Sequence, residues 1–89
     1  MYIPSTVSEV KDRIGAMVLC MPEYVDDISK NGVDGAYSEL EHSLSLIRSK
    51  LDDTKYEKLL EMSRKSQQFF AEDKLKEGSF MLQDMHELI

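Results

Sequence analysis

The sequence has no tryptophan, a single cysteine, two prolines and four glycines among its 89 residues. The one thiol, Cys20, cannot form a disulfide within the chain, which favours a reducing compartment. No apolar run reaches the ~18 residues that a membrane-spanning helix requires, and the first residues lack the basic and apolar regions of a secretory signal. We therefore expect a cytoplasmic protein with no membrane segment, whose fold depends on one noncovalent core.

Positive charge is also scarce, since 11 Lys and Arg face 17 Asp and Glu and the formal net charge is −6. A protein that binds nucleic acid needs clustered positive charge to neutralise phosphates, so this balance argues against direct nucleic-acid binding. The hydrophobic fraction of 42% is nevertheless that of a globular chain. A chain of this length has room for one core, and we predict a single domain over residues 1–89.

Apolar residues recur at steps of three and four from residue 5 onward, and no stretch alternates with the period of two that a strand requires. The predicted fold class is therefore all-α, a compact antiparallel bundle of four to five short helices. We expect a turn or bend at Glu72-Asp73, and a single helix over 54–89 is the competing interpretation. The other helices are predicted over residues 6–20, over 22–30 as a kinked or separate segment, and over 35–51.

Short polar motifs predict where these helices begin and end. Thr6-x-x-Glu9 and Thr54-x-x-Glu57 have the spacing of capping boxes, in which a hydroxyl and a carboxylate satisfy free amides of the first turn. Pro22 interrupts the first apolar face and is expected in the first turn of the segment that follows it. The dipeptides Asn31-Gly32 and Asp34-Gly35 tolerate positive φ angles, so we predict a turn there.

Few residues are suited to catalysis or metal binding. Cys20 lies at the edge of the apolar stripe, where a buried structural thiol is a better interpretation than a nucleophile. Glu39-x-x-His42 matches half of the paired Glu-x-x-His elements of helical di-metal bundles, but the corresponding position before His86 is Gln83. His42 is also expected to face solvent, because it lies about 200° around the helix from Leu40. We therefore predict no enzyme activity, no cofactor and no bound metal.

Asp27-x-Ser29-x-Asn31-Gly32 resembles the start of an EF-hand calcium loop, with oxygen ligands at alternate positions and glycine at the sharp turn. The last position of such a loop supplies a bidentate carboxylate, but Ser38 occupies it here and Glu39 follows one residue late. The resemblance implies no tight Ca²⁺ site. We interpret the segment as an acidic loop with turn-forming residues.

Asp73-x-Leu75-x-x-Gly78-x-x-x-Leu82 resembles the second helix of a tetratricopeptide repeat in its spacing of small and large residues. The preceding helix departs from that pattern, with Lys65 and Ser66 where a Leu-Gly pair belongs. One half-repeat does not make an array, because such repeats need neighbours to bury their faces. We therefore predict only that a helix crosses its neighbour closely at Gly78.

The negative charge is concentrated in residues 23–41, termed here the acidic segment, which has a net charge of −5. Acidic residues favour turns and helix N-termini, so a solvated face with no further role is one interpretation. The other is a surface for a basic protein partner, with tyrosines as anchors because tyrosine is common at interfaces. The predicted partner-binding residues are Glu23, Tyr24, Asp26, Asp27, Asp34, Tyr37, Glu39 and Glu41.

In size, charge and helical character the chain looks like the small acidic inhibitors that include bacterial immunity proteins and antitoxins. Such proteins need a stable small fold and a complementary surface rather than catalytic residues. Our leading hypothesis is therefore a non-enzymatic inhibitor that binds a basic, nuclease-type toxin domain in stoichiometric amounts. The alternative hypothesis is a helical regulatory or assembly module that forms a homodimer through its Met- and Phe-rich faces.

Overall fold

The computed structural model describes residues 5–21, 23–27 and 29–89, and the side chain of Asp27 also lies outside the description. This part of the chain forms four α-helices and two short 3-10 helices with no strand, which confirms the predicted all-α bundle. No described helix is both long enough and apolar enough to cross a membrane. The helices are α1 (Val7–Cys20), α2 (Gly32–Leu46), α3 (Asp53–Ala71) and α4 (Leu75–Leu88), and the 3-10 helices are Val25–Asp27 and Arg48–Lys50.

α1 begins at the predicted capping box. The Thr6 hydroxyl accepts a hydrogen bond from the Glu9 amide at 3.2 Å and donates one to the Glu9 carboxylate at 2.9 Å. The carboxylate therefore binds the hydroxyl of the cap, whereas a full capping box would use the Thr6 amide. The cap satisfies one free amide of the first turn and fixes the start of α1 where the sequence predicts it.

The connection between α1 and α2, residues 21–31, is less helical than predicted. Among its described residues, the only helical part is the three-residue 3-10 helix Val25–Asp27, which packs against both α1 and α2. The Tyr24 amide donates to the Cys20 carbonyl at 2.7 Å, and the Ser29 amide donates to the Val25 carbonyl at 2.8 Å. Pro22, predicted in the first turn of a helix here, lies outside the described residues.

α2 begins earlier than the sequence predicts. Gly32 has a φ angle of +74°, which glycine adopts without strain, and the helix continues from that residue. Asp34-Gly35, predicted to be part of a turn, lies inside the first turn of the helix instead. A Cβ atom on Gly35 would collide with the Asn31 side chain and lie 3.1 Å from the Ser29 hydroxyl. Gly32 therefore makes the turn, and Gly35 lets the connection pack against α2.

The predicted capping box at Thr54 and Glu57 is wrong, because Asp52 caps α3. Its carboxylate accepts a hydrogen bond from the Lys55 amide at 2.7 Å. Aspartate is a stronger cap than threonine, and its negative charge also interacts favourably with the helix dipole. α2 ends at Leu46, before the predicted end at residue 51, and the 3-10 helix Arg48–Lys50 follows it.

A turn at Glu72-Asp73 separates α3 from α4, which confirms one prediction and excludes a single helix over 54–89. Asp73 has a φ angle of +61°, a left-handed conformation that aspartate tolerates better than most residues. The Lys74 amide donates to the Phe69 carbonyl at 2.7 Å and so satisfies a free carbonyl at the end of α3. α3 and α4 are thereby folded into a helical hairpin.

The core combines large side chains from every helix with small ones from α3. Two serines of α3, Ser63 and Ser66, are fully buried beside Leu59, and their small size lets the neighbouring helices approach closely. The apolar stripes predicted from the spacing of three and four thus face inward. The fully buried large side chains are Val10, Ile14, Met17, Tyr37, Leu40, Leu44, Ile47, Leu59, Leu82 and Met85.

Ser66 connects three helices through its hydroxyl. Tyr37 Oη of α2 lies 2.5 Å from Ser66 Oγ, which in turn donates to the Gly78 carbonyl of α4 at 2.8 Å. A serine hydroxyl has one proton, so its donation to Gly78 makes Tyr37 the donor to Ser66. Burial raises the pKa of Tyr37, which keeps the phenol protonated and able to donate. We term these two bonds the Tyr37–Ser66–Gly78 chain.

α4 crosses α3 closely at Gly78, as predicted. A Cβ atom there would lie 2.8 Å from carbons of the Phe70 ring, which is itself buried. The Phe70 ring also packs against the ring of Tyr37, with a centroid separation of 6.4 Å. The missing side chain at Gly78 therefore makes room for an aromatic pair next to the buried hydrogen bonds.

We predict that Ser66→Ala destabilises the fold by about 1–3 kcal/mol, because the buried Tyr37 hydroxyl then has no acceptor. Tyr37→Phe should cost only about 0.5–1.5 kcal/mol, since Ser66 still donates to Gly78. Ser63→Ala is the matched control, because the buried Ser63 hydroxyl has no hydrogen-bond partner in the described part of the chain and its loss should not lower stability. Urea unfolding measures all three variants. Equal decreases in the free energy of unfolding for Ser66→Ala and Ser63→Ala would contradict the stabilising role of the Tyr37–Ser66–Gly78 chain.

Gly78→Ala is expected to destabilise the fold by about 1–3 kcal/mol, because the Phe70 ring must move to admit the new methyl group. The control is Gly15→Ala in α1, where a Cβ atom would lie 3.6 Å from the His86 ring, an ordinary contact. That control should gain about 0.5–1 kcal/mol from the higher helix propensity of alanine. Thermal unfolding compares the two variants, and a gain for both would show that Phe70 adjusts at no cost.

Candidate partner-binding surface

The structure distributes the eight predicted partner-binding residues among different environments. Three lie exposed on the connection, two lie on the edge of α2 that faces α3, and two are buried. The side chain of Asp27 is outside the described part of the chain. The exposed residues are Glu23, Tyr24 and Asp26, those facing α3 are Asp34 and Glu41, and the buried ones are Tyr37 and Glu39.

Glu23, Tyr24 and Asp26 form what we term the connection surface. The Tyr24 side chain is 61% exposed and lies between the two carboxylates in sequence. Within the described part of the chain, neither Glu23 nor Asp26 has an ion pair or a side-chain hydrogen bond. The next residue, Val25, is buried and holds the segment against the bundle. The connection surface therefore presents to solvent one amphipathic ring and two acidic residues that follow each other closely in the sequence.

Asp34 and Glu41 are already used within the fold. Gln67 Nε2 donates to Asp34 Oδ1 at 3.0 Å, and Arg64 Nε donates to Glu41 Oε1 at 3.3 Å. The later residue of α2, Glu41, contacts the earlier residue of α3, Arg64. This order is expected when two neighbouring helices are antiparallel. Both contacts are exposed, so each contributes little to stability. They nevertheless show that this edge of α2 faces α3.

Tyr37 is not at the surface, which corrects its prediction as a partner-binding residue. Its side chain is 1% exposed, and its hydroxyl belongs to the Tyr37–Ser66–Gly78 chain. The small serines of α3 leave room for the ring inside the bundle. The sequence contained a signal for this position, because Tyr37 begins the apolar stripe that continues with Leu40 and Leu44.

Glu39 is also buried, although it too was predicted on the partner-binding surface. Its residue exposure is 9%, and both carboxylate oxygens are inaccessible and have no hydrogen-bond partner among the described residues. The spacing gave no indication of this, since Glu39 lies beside the apolar stripe and not within it.

Glu39 and Glu41 lie on opposite edges of α2. Two residues along a helix correspond to about 200° of rotation, so the edge with Glu39 points away from α3 when Glu41 faces it. Gly35 precedes Glu39 by one turn, and the Ser29 hydroxyl of the connection approaches that glycine. The carboxylate of Glu39 is therefore on the side of α2 where α1 and the connection pack.

The histidines and the cysteine are scattered. His42 is exposed, as its position on the helix predicts, while His86 is half-buried beside Gly15. Cys20 is half-buried at the end of α1, where a buried thiol was expected. Among the described residues, no three His, Cys, Asp or Glu side chains are grouped closely enough to hold a metal ion.

The EF-hand-like segment is part of the helix start. Gly32 begins α2, and the Ser29 hydroxyl accepts a hydrogen bond from the Asn31 amide at 3.3 Å. Ser29 is buried, so its oxygen is directed into the fold. The residues that resemble a calcium loop thus serve as a turn and a contact with Gly35.

Leu19 is an exposed residue that the sequence interpretation did not single out. It is 83% exposed in the last turn of α1, immediately before the connection. It also lines a shallow groove of ≈ 290 Å³ between α1 and α4, together with Val18 and His86. Its position off the apolar stripe of α1 was the available signal, because an off-stripe leucine has to face solvent.

No family model, no curated protein and no solved structure matches this chain. A function for it therefore has to be argued from its own side chains and their surroundings. The feature on which that argument depends is the connection surface.

Proposed function

We propose that this protein is a non-enzymatic inhibitor that binds a basic protein domain in stoichiometric amounts. Its partner would be a nuclease-type toxin domain, in the manner of an immunity protein or antitoxin. The observation that supports the proposal is the connection surface, where Tyr24 is exposed and Glu23 and Asp26, close to it in the sequence, are exposed and unpaired among the described residues.

The charge of this surface suits a nuclease domain for a physical reason. A nuclease presents positive charge where it binds phosphates, and an acidic protein surface is complementary to that region. Opposite charges raise the rate of association, and a tyrosine buried on binding slows dissociation. Glu23 and Asp26 would thus steer the encounter, and Tyr24 would anchor the complex.

The rest of the molecule supplies a scaffold for this surface. Val25 is buried between α1 and α2 and fixes the connection, while the Tyr37–Ser66–Gly78 chain fixes α2 against α3 and α4. A rigid surface loses little conformational entropy on binding, which favours high affinity. An inhibitor of this kind acts by occupying its partner and requires no catalytic group.

The double charge reversal Glu23→Lys, Asp26→Lys is expected to weaken binding to a basic nuclease toxin domain at least tenfold, mainly through slower association. Surface plasmon resonance at two salt concentrations against a panel of purified toxin nuclease domains measures this. Asp84→Lys, Glu87→Lys on α4 is the matched control, because both residues are exposed and the change in charge is equal. Equal affinities of the two variants, or no binding of the wild type to any domain, would contradict the proposal.

The alternative is a module that forms a homodimer, and exposed apolar groups on α4 favour it. Phe80 is 51% exposed and Leu75 is 40% exposed, whereas Met17 and Met85 are fully buried in the chain's own core. A dimer would therefore use the outer face of α4 and not the methionines of the core. This alternative needs no partner of a different sequence.

Sedimentation equilibrium distinguishes the two proposals. The inhibitor proposal predicts a monomer of 10.3 kDa at micromolar concentration, because the exposed apolar groups are few and scattered. A tight dimer that Phe80→Glu dissociates would favour the assembly module instead. Gln83→Glu serves as the control, because it adds the same charge at another exposed position of α4.

A further inference from the structure

Leu19 is the most exposed large apolar residue among those that the structure describes. Its exposed fraction is 83%, whereas that of the other exposed leucines, such as Leu46, is below one half. α1 packs into the core through Val10, Ile14 and Met17, and Leu19 lies about 200° around the helix from Met17. Its aliphatic surface is therefore not used by the fold, and contact with a second apolar surface would remove that surface from water.

Leu19 also lines the shallow groove of ≈ 290 Å³ between α1 and α4, which we term the α1–α4 groove. The groove exists partly because Gly15 has no side chain, since a Cβ atom there would lie 3.6 Å from the His86 ring. An exposed leucine and a neighbouring depression thus form one continuous surface. The lining residues are Gly15, Val18 and Leu19 of α1 and Gln83, His86 and Glu87 of α4.

The lining of the α1–α4 groove is suited to one aliphatic side chain of a basic protein. α1 contributes the aliphatic groups of Val18 and Leu19, and α4 contributes the ring of His86, which has an apolar body. None of the six lining residues is a lysine or an arginine, so no such charge repels a basic partner. Sites for free small molecules have volumes of about 300 Å³ or more and enclose their ligand, so this shallow groove fits a side chain that a protein delivers.

The α1–α4 groove lies next to the connection surface. Leu19 is followed directly by Cys20, whose carbonyl accepts a hydrogen bond from the Tyr24 amide at 2.7 Å. The backbone of Tyr24 is therefore in contact with the residue that follows Leu19. Protein interfaces combine an apolar centre rich in aromatic residues with a polar rim. Leu19, Tyr24 and the acidic Glu23 supply that combination over a short distance.

We propose that the α1–α4 groove binds one aliphatic side chain of the basic partner, a leucine, isoleucine or methionine, and that Leu19 is its main contact. The proposal rests on the proposed function, because it takes the partner to be the basic domain that the connection surface binds. Glu23 and Asp26 attract that domain, and the burial of Leu19 then slows its dissociation. The groove is open in the structure, so binding requires no movement of a helix.

Leu19→Ala is expected to weaken binding to a basic toxin domain at least tenfold, mainly through faster dissociation, because alanine removes most of the surface that the partner covers. Leu46→Ala is the matched control, because Leu46 is also an exposed leucine at the end of a helix and should change affinity less than twofold. Leu19→Met keeps a long aliphatic side chain and should stay within about threefold of the wild type. Surface plasmon resonance measures all three variants.

A defined probe, the peptide acetyl-Leu-Arg-amide, tests the groove on the full chain without a toxin domain. We expect saturable changes in the NMR amide signals of residues 15–20 and 82–88 at millimolar peptide, and no such changes with acetyl-Ala-Arg-amide. Loss of folding does not account for a weakened Leu19→Ala variant, because the Leu19 side chain lies outside the core. Absence of saturable binding by the leucine peptide, or signal changes centred elsewhere, would overturn the assignment.

The basic toxin domains separate this inference from the proposed function. If they bind the wild type and Leu19→Ala equally well, the inhibitor proposal stands and the role of the α1–α4 groove is wrong. If the leucine peptide binds in the groove but no toxin domain binds, the aliphatic site stands and the inhibitor proposal is wrong. A supporting result for both is a loss of at least tenfold in toxin affinity for Leu19→Ala with less than twofold for Leu46→Ala.

Discussion

The hydrogen bonds from Tyr37 to Ser66 and from Ser66 to the carbonyl of Gly78 set the arrangement on which the rest of the molecule depends. A buried hydroxyl without a partner is costly, so the three groups hold α2, α3 and α4 at one relative rotation. That rotation turns one edge of α2 toward α3, where Asp34 and Glu41 find donors. The opposite edge is then left to α1 and the connection.

The carboxylate side chains of the acidic segment consequently have different roles. Glu41 joins two helices, whereas Asp26 stays exposed and unpaired on the connection. Glu39 is buried, and no donor among the described residues reaches its carboxylate. The proposed inhibitor would use the exposed carboxylates of the connection surface for association.

Sequence patterns were reliable where the deciding interactions are local. The cap of α1, the turn at Glu72-Asp73 and the close crossing at Gly78 follow from residues within a few positions of each other or from the absence of a side chain. The predicted helix boundaries were wrong where two neighbouring motifs could each supply the same cap or turn. Asp52 displaced Thr54 as the cap of α3 because a carboxylate is the better acceptor there. Asp34-Gly35 became helical because Gly32 alone supplied the turn.

The sequence by itself determined an all-α bundle and the concentration of negative charge in residues 23–41, because helical spacing and composition are properties of the chain alone. Only the tertiary structure decided which acidic and aromatic residues of that segment face inward. Tyr37 is buried because Ser66, 29 residues away, accepts its hydrogen bond. Glu39 is buried because the rotation of α2 fixed by that contact directs it toward α1 and the connection. The apolar stripe of α2 indicated the burial of Tyr37, but no periodic pattern indicated that of Glu39, because contacts between distant residues leave no trace in local spacing.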